Sequence, residues 1–227
     1  MHEPRYAFFD MDHTLTRADT GFAFLRWWAR QHPLMLWRFL AAPAVLALWK
    51  LRLLSLPRVK NFFFSALRGQ TAADMDTAAR EFVYSAFDKL IKKEVFAYLD
   101  VLRPHYRLVL ASASPAWYVP YFAERLGFEV YAATLYGFHD GKCTGRIEGE
   151  DCRGGEKVRR IQGVLGPGAL ERYDRAGSIA FSDNLSADAP MLALAGTAFR
   201  VHRKKWRLVP LADAPPPADL TLRGGRP

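Results

Sequence analysis

Seven residues scattered through the 227-residue chain are of types that can handle a phosphate ester. Asp10 and Asp12 are two apart at the end of an apolar run, which puts both carboxylates on one side of an extended segment. Thr14 follows them. Ser112 ends a second apolar run, and Asp183 a third, with Asp188 five residues later. Lys157 follows a Gly-Gly turn at the start of a helical stretch. Four carboxylates in one small space would raise one another's pKa unless a cation joined them. All-oxygen ligands select a hard ion, Mg²⁺, which keeps several waters and bonds to a substrate phosphate. A lysine and a serine hydroxyl add donors for phosphoryl oxygens. One carboxylate can act as nucleophile through an aspartyl-phosphate, and a neighbour can protonate the leaving oxygen and later activate water.

The residues meet only if the fold brings them together. Residues 5–9, 106–111 and 178–182 read as short strands buried on both faces. Helices are expected over 115–126, with Pro115 near its first turn and Gly127 past its end, and over 156–165 and 188–195. The alternation gives an α/β, doubly wound, Rossmann-like parallel sheet. In such sheets ligands bind outside the carboxyl ends of the strands, so Asp10, Asp12, Ser112 and Asp183 are predicted to converge. Ser114–Pro115 reads as a helix cap, leaving Ser112 for the site. Asp188 reads equally as an N-cap or a metal-site residue, and His13 as a bystander. Asp140–Gly141 reads as a hairpin turn within 134–147.

Residues 17–100 have another character. They are helix-forming, carry no strand signal and are interrupted by Pro33, Pro43 and Pro57. We expect an inserted helical cap there, a core made of 1–16 and 101–210, and a poorly ordered Pro-rich tail over 211–227. The length, about one and a half domains of ~150 residues, suits a core with an insertion.

Composition narrows the class. With 50% hydrophobic and 24% charged residues the chain is neither disordered nor collagen-like. Two cysteines, Cys143 and Cys152, exclude a disulfide framework and a Cys-type zinc site, and read as reduced thiols. The N-terminus lacks an apolar signal-peptide core, so a cytoplasmic location is expected. The net charge of +9 is uneven: Gly21 to Ala73 holds no Asp or Glu but eight Arg and Lys residues. Such a segment seeks phosphate or an anionic surface.

The motifs carry a resemblance. FDMDHTL (9–15) resembles the first motif of the haloacid dehalogenase-like phosphohydrolases, and LASAS (110–114) the second. Lys157 in GGEKV resembles the third, and FSDNLSADAPML (181–192) the fourth. The insertion after the first motif resembles the phosphoserine-phosphatase-type branch. The resemblance implies that Asp10 is nucleophile and Mg²⁺ ligand. Asp12 would be general acid/base, binding the metal through its carbonyl. Ser112 and Lys157 would hold the phosphoryl oxygens, Asp183 would be the third protein ligand, and Asp188 would support the metal's waters. Two departures stand out. The acidic pair of the fourth motif is spaced by five residues rather than four, and Asp19 stands where phosphoserine phosphatases carry a substrate-binding Glu.

The cap should set the substrate. The uncharged run Phe39–Trp49 has eleven residues, against ~20 for a spanning helix. Trp27, Trp28, Trp37 and Trp49 interleave with Arg26, Arg30, Arg38, Lys50 and Arg52. That pattern reads as an interfacial segment, or as a packed cap with arginines snorkelling outward. Leu and Trp are too dense for a nucleic-acid platform, so no nucleic acid is expected. FAFLRWWARQHPL (22–34) also resembles, loosely, the cap of bacterial phosphatidylglycerophosphate phosphatases. The expectation is an Mg²⁺-dependent phosphomonoester hydrolase acting on an anionic, membrane-associated phosphate, peripheral to the inner face of the membrane through residues 21–73. The alternatives are a soluble phosphatase of the phosphoserine type and a non-catalytic membrane-binding scaffold on the same fold.

Overall fold

The structure, a computed structural model, describes residues 3–33, 37–204 and 206–211. Six strands form one sheet: Tyr6–Asp10 (β1), Arg107–Pro115 (β2), Val130–Thr134 (β3), Ile179–Ser182 (β6), Thr197–Val201 (β7) and Leu208–Pro210 (β8). Their order is β3-β2-β1-β6-β7-β8, parallel throughout except for the antiparallel edge strand β8. Tyr136–His139 (β4) and Lys142–Ile147 (β5) pair as a separate antiparallel hairpin, with both turn residues, Asp140 and Gly141, at positive φ.

Buried β1 is apolar along its whole length before Asp10, as a strand covered on both faces must be. In register across three neighbouring strands, Phe9, Phe181 and Phe199 stack with ring centroids 4.5 and 5.1 Å apart. This aromatic row fixes the strands beneath the site. The doubly wound sheet matches the sequence reading. Strands β3, β7 and β8 were not anticipated.

Among the described residues five α-helices lie between β1 and β2: Thr20–Gln31 (α1), Trp37–Lys50 (α2), Leu56–Phe64 (α3), Ala72–Leu90 (α4) and Glu94–Leu102 (α5). The chain leaves and re-enters the core side by side, through a single bridge between Thr16 and Ile91. Lys92, next to that bridge, is 1% exposed and donates to the carbonyls of His13 (2.6 Å), Thr14 (2.9 Å) and His202 (3.2 Å). Helix α5 falls within the stretch expected as insertion, yet its Tyr98 packs edge-on against Phe181 of the sheet.

Pro43 sits inside α2 without ending it, since one missing N–H costs only one helical bond. Pro57 sits in the first turn of α3, as its fixed φ favours. Helix α2 is apolar and exposed: Leu40 is 84% accessible, and Leu51 and Leu53, just past its end, are 68% and 64%. Trp28 is buried and Trp27 half-buried, whereas Trp49 is exposed. The side chains of residues 34–39, including Trp37 and Arg38, lie outside the described residues, as does all of the tail expected over 211–227 except Leu211.

The insertion has a second attachment, where the β4–β5 hairpin docks on α3. Ile147 N donates to Asn61 Oδ1 at 2.9 Å, and a Cβ on Gly145 would lie 2.6 Å from the Phe64 carbonyl oxygen. Backbone meets backbone there, which only glycine allows.

After β2 come Val119–Leu126 (α6), Gly154–Leu165 (α7) and Ala189–Leu192 (α8). Two boundaries correct the sequence reading. Strand β2 runs on through Ser114 and Pro115, so α6 starts at Val119, with Pro120 in its first turn. Helix α8 is four residues long, not the eight expected.

Candidate active site

Asp10 ends β1, and Asp12 follows in a turn where His13 takes φ 60°. Thr14 sits beneath Asp10. Its hydroxyl donates to Asp10 Oδ2 at 3.0 Å and accepts from the Asp183 amide at 2.9 Å, so it joins the ends of β1 and β6. Lys157, one turn into α7 and 1% exposed, places its ammonium 2.8 Å from Asp10 Oδ1 and 2.6 Å from Asp188 Oδ1. Asp188 gives its other oxygen to the Ser182 hydroxyl at 2.6 Å, and its side chain caps no helix. Burial opposes the charge on Lys157, but Asp10 and Asp188 outweigh it and hold the ammonium above its ordinary range. Burial pushes the Asp10 carboxyl up to about 7; Lys157 pulls against this, while Asp188 and Asp12 add to it.

Asp12 is held from two sides. Oδ1 accepts from the Thr20 amide (2.7 Å) and hydroxyl (2.6 Å), at the first turn of α1, and Oδ2 accepts from the Ser114 hydroxyl at 2.6 Å. Burial raises the Asp12 carboxyl, helped by Asp19 and opposed by these hydrogen bonds. Ser112 is fully buried: its oxygen accepts from the Ser114 amide at 3.0 Å and lies 3.4 Å from Asp12 Oδ2. Ser114, read from sequence as a helix cap, is therefore a direct partner of Asp12. The signal was available, because Ser112 and Ser114 alternate on a strand and share a face. Thr20 had no such signal. Asp19 caps α1 through Phe22 N at 2.8 Å and also lines the cavity.

Asp10, Asp12, Asp19, Ser114, Lys157, Asp183 and Asp188 form the floor of a cavity of about 490 Å³, whereas Thr14, Thr20, Ser112 and Ser182 are fully buried and do not line it. One wall is apolar and comes from the insertion, including Phe22, Leu25, Leu46, Trp49 and Phe63. Lys60 of α3 closes another side. It bonds Asp151 (2.6 and 2.8 Å) and the Ala113 carbonyl (2.8 Å). At the rim, Arg203 meets Asp183 Oδ2 at 2.7 Å.

Among the described residues no three His, Cys, Asp or Glu side chains close round a point as a complete metal cage. Mg²⁺ needs none, since it takes one or two carboxylates plus waters and substrate oxygens. The donor chemistry fits: Asp10 and Asp183 bring carboxylate oxygens to the same cavity beside Asp12, and Asp188 and Asp12 add negative charge around the buried Asp10 that Lys157 offsets only in part. The residues that would hold it are Asp10, Asp183 and the Asp12 carbonyl.

The family described as haloacid dehalogenase-like hydrolase matches residues 7–193, a span that runs from β1 through α8 and takes in every residue of this floor. The chain belongs to that family. Protein CicA of Caulobacter vibrioides is 33% identical to it over 213 residues, covering 90% of this chain and 89% of CicA. A protein of unknown function from Bordetella pertussis Tohama I has the same fold at TM-score 0.71 and 23% identity, with 88% and 90% of the two chains covered. A probable phosphoserine phosphatase from Vibrio cholerae shares the fold at TM-score 0.62 and 17% identity, over 86% of this chain and 55% of that one.

Proposed function

We propose that the protein is an Mg²⁺-dependent phosphomonoester hydrolase working through phospho-Asp10, and that its substrate is an amphiphilic phosphate drawn from an anionic membrane surface. One observation carries the chemistry: Asp10 lies at the cavity floor with its two oxygens oriented by Lys157 and Thr14. Asp10 attacks phosphorus, the bond from phosphorus to the leaving oxygen breaks, and Asp12 gives that oxygen its proton. Water then attacks the aspartyl-phosphate, Asp12 takes the water's proton, and inorganic phosphate leaves. The raised carboxyl of Asp12 suits a proton donor. Lys157 holds a phosphoryl oxygen; Ser112, which the sequence suggested for the same task, is fully buried and does not line the cavity. Mg²⁺, when bound, offsets the negative charge shared by Asp10 and the phosphate.

The apolar wall supports an amphiphile over a small polar ester. Leu46 and Trp49 belong both to that wall and to the exposed apolar face of α2. No described helix is long and apolar enough to cross a membrane, so residues 21–73 would lie on the surface. Their basic residues would add about 1 kcal/mol each near anionic lipid.

Wild type should hydrolyse a chromogenic aryl phosphate with Mg²⁺. Asp10→Asn should stay folded and lose roughly 10³-fold or more. In a substrate panel, lysophosphatidic acid should be preferred to phosphoserine. The protein should float with phosphatidylglycerol vesicles at low salt, and changing Arg30, Lys50 and Arg52 together to Glu should release it. Absence of flotation, with phosphoserine the better substrate, would replace this reading by the soluble phosphoserine-type one.

A further inference from the structure

The cavity brings four cations near the reacting centre, and three are matched. Lys157 is shared by Asp10 and Asp188, Lys60 is clasped by Asp151, and Arg203 is on Asp183. Arg153 is the fourth. It lines the cavity, is half-buried, and among the described residues its guanidinium has no ion-pair or hydrogen-bond partner.

Its position also breaks a local rule. Arg153 is the N-cap of α7, a twelve-residue helix, and makes no side-chain cap. Ser, Thr, Asp or Asn is favoured there, because the side-chain oxygen satisfies the first amides. A cation at that end instead adds to the positive pole of the helix dipole. The one acid in the first turn, Glu156, is engaged by Arg159 and Arg160 at 2.8 Å each and does not answer Arg153. Such a local conflict is expected where function requires it.

Arg153 stands four residues before Lys157. That places their backbones about 6 Å apart along the α7 axis, and although Arg153, as N-cap, has extended backbone, both side chains line the same cavity. Lys157 marks where the transferred phosphoryl group sits, on the reading of Asp10 given above. Arg153 therefore faces the part of the substrate about one helical turn from phosphorus, within the leaving group.

We propose that Arg153 is a recognition site for a second anionic group, carried by the leaving group of the substrate. A phosphodiester or a carboxylate supplies that chemistry. The guanidinium offers either of them paired donors in a planar fork, and the positive end of α7 adds to the attraction. The inference rests on hydrolysis at Asp10, and it adds that the substrate is an amphiphile with two separate anionic groups.

The test measures kcat/KM ratios. Three phosphomonoesters of one short alkanediol are compared, bearing at the far end a methyl phosphodiester, a carboxylate or a neutral methyl ester. Wild type should favour at least one anionic probe over the neutral one by about tenfold or more, and the better of the two names the group. Arg153→Met should collapse that ratio toward one, with Arg153→Lys retaining part of it because charge survives without the fork. A ratio unchanged in Arg153→Met, or a wild type indifferent to the second anion, overturns the proposal. Failure of wild type to cleave any probe or aryl phosphate would instead remove the underlying hydrolase reading. If Arg153→Met does not fold, the Arg153→Lys ratio decides: equality with wild type in every probe overturns recognition by the guanidinium.

Discussion

The Ser114 hydroxyl donates to Asp12 Oδ2 across 2.6 Å, tying the end of β2 to the acid two residues beyond β1. That bond favours the ionised form of Asp12 and so restrains the rise that burial causes. Ser114→Ala should therefore push the Asp12 carboxyl higher still. An acid that must be protonated to donate then works to higher pH, so the alkaline limb of the kcat/KM profile should move upward. A limb that stays in place in the variant would mean that Ser114 does not tune this proton.

Arg203 competes for the oxygen that Asp183 would offer a metal. The guanidinium is 61% exposed, so the pair is well screened and its removal should act modestly. In Arg203→Ala, titration calorimetry should give Mg²⁺ affinity about two- to fivefold tighter than wild type. Weaker binding would indicate that the arginine helps to hold the site.

Lys92 serves three backbone carbonyls with one buried ammonium. Lys92→Met keeps the volume but strands those acceptors, and should cost roughly 3 kcal/mol in urea unfolding. A loss below ~1 kcal/mol would show that water takes the place of the ammonium.

Cys152 is fully buried and Cys143 is 1% exposed. Burial pushes the Cys152 thiol up to about 12 and raises that of Cys143. Both should resist iodoacetamide at pH 8 in the native protein and react after unfolding, as read by mass spectrometry. Labelling of either thiol under native conditions would show local opening at that site.

The sequence was most legible where the chemistry and the strand ends coincide. Asp10 and Asp183 could be placed because each closes an apolar run that can only be a buried strand. Ser114 was misjudged because proline after serine is also the signature of a helix start. Nothing in a single sequence says that β2 extends four residues further, to Pro115, since that extension depends on pairing with Thr134 of β3. Arg203 and Lys60 were beyond reach for another reason. Each acts across the fold, on Asp183 and on Asp151, and neither spacing nor periodicity encodes such a meeting. The exposed face of α2 lay between the two: its apolar run was visible, but its lack of a covering neighbour is a tertiary fact.

The docking of Gly145 against Phe64 has a bearing on traffic through the enzyme. The insertion is fastened to the core where the chain leaves and re-enters it and again at α3, which the hairpin grips. A flap held at two places does not swing like a clamshell. Substrate and product would then pass through a fixed slot beside Trp49, and bulky tails would be sorted by slot width before any bond is broken.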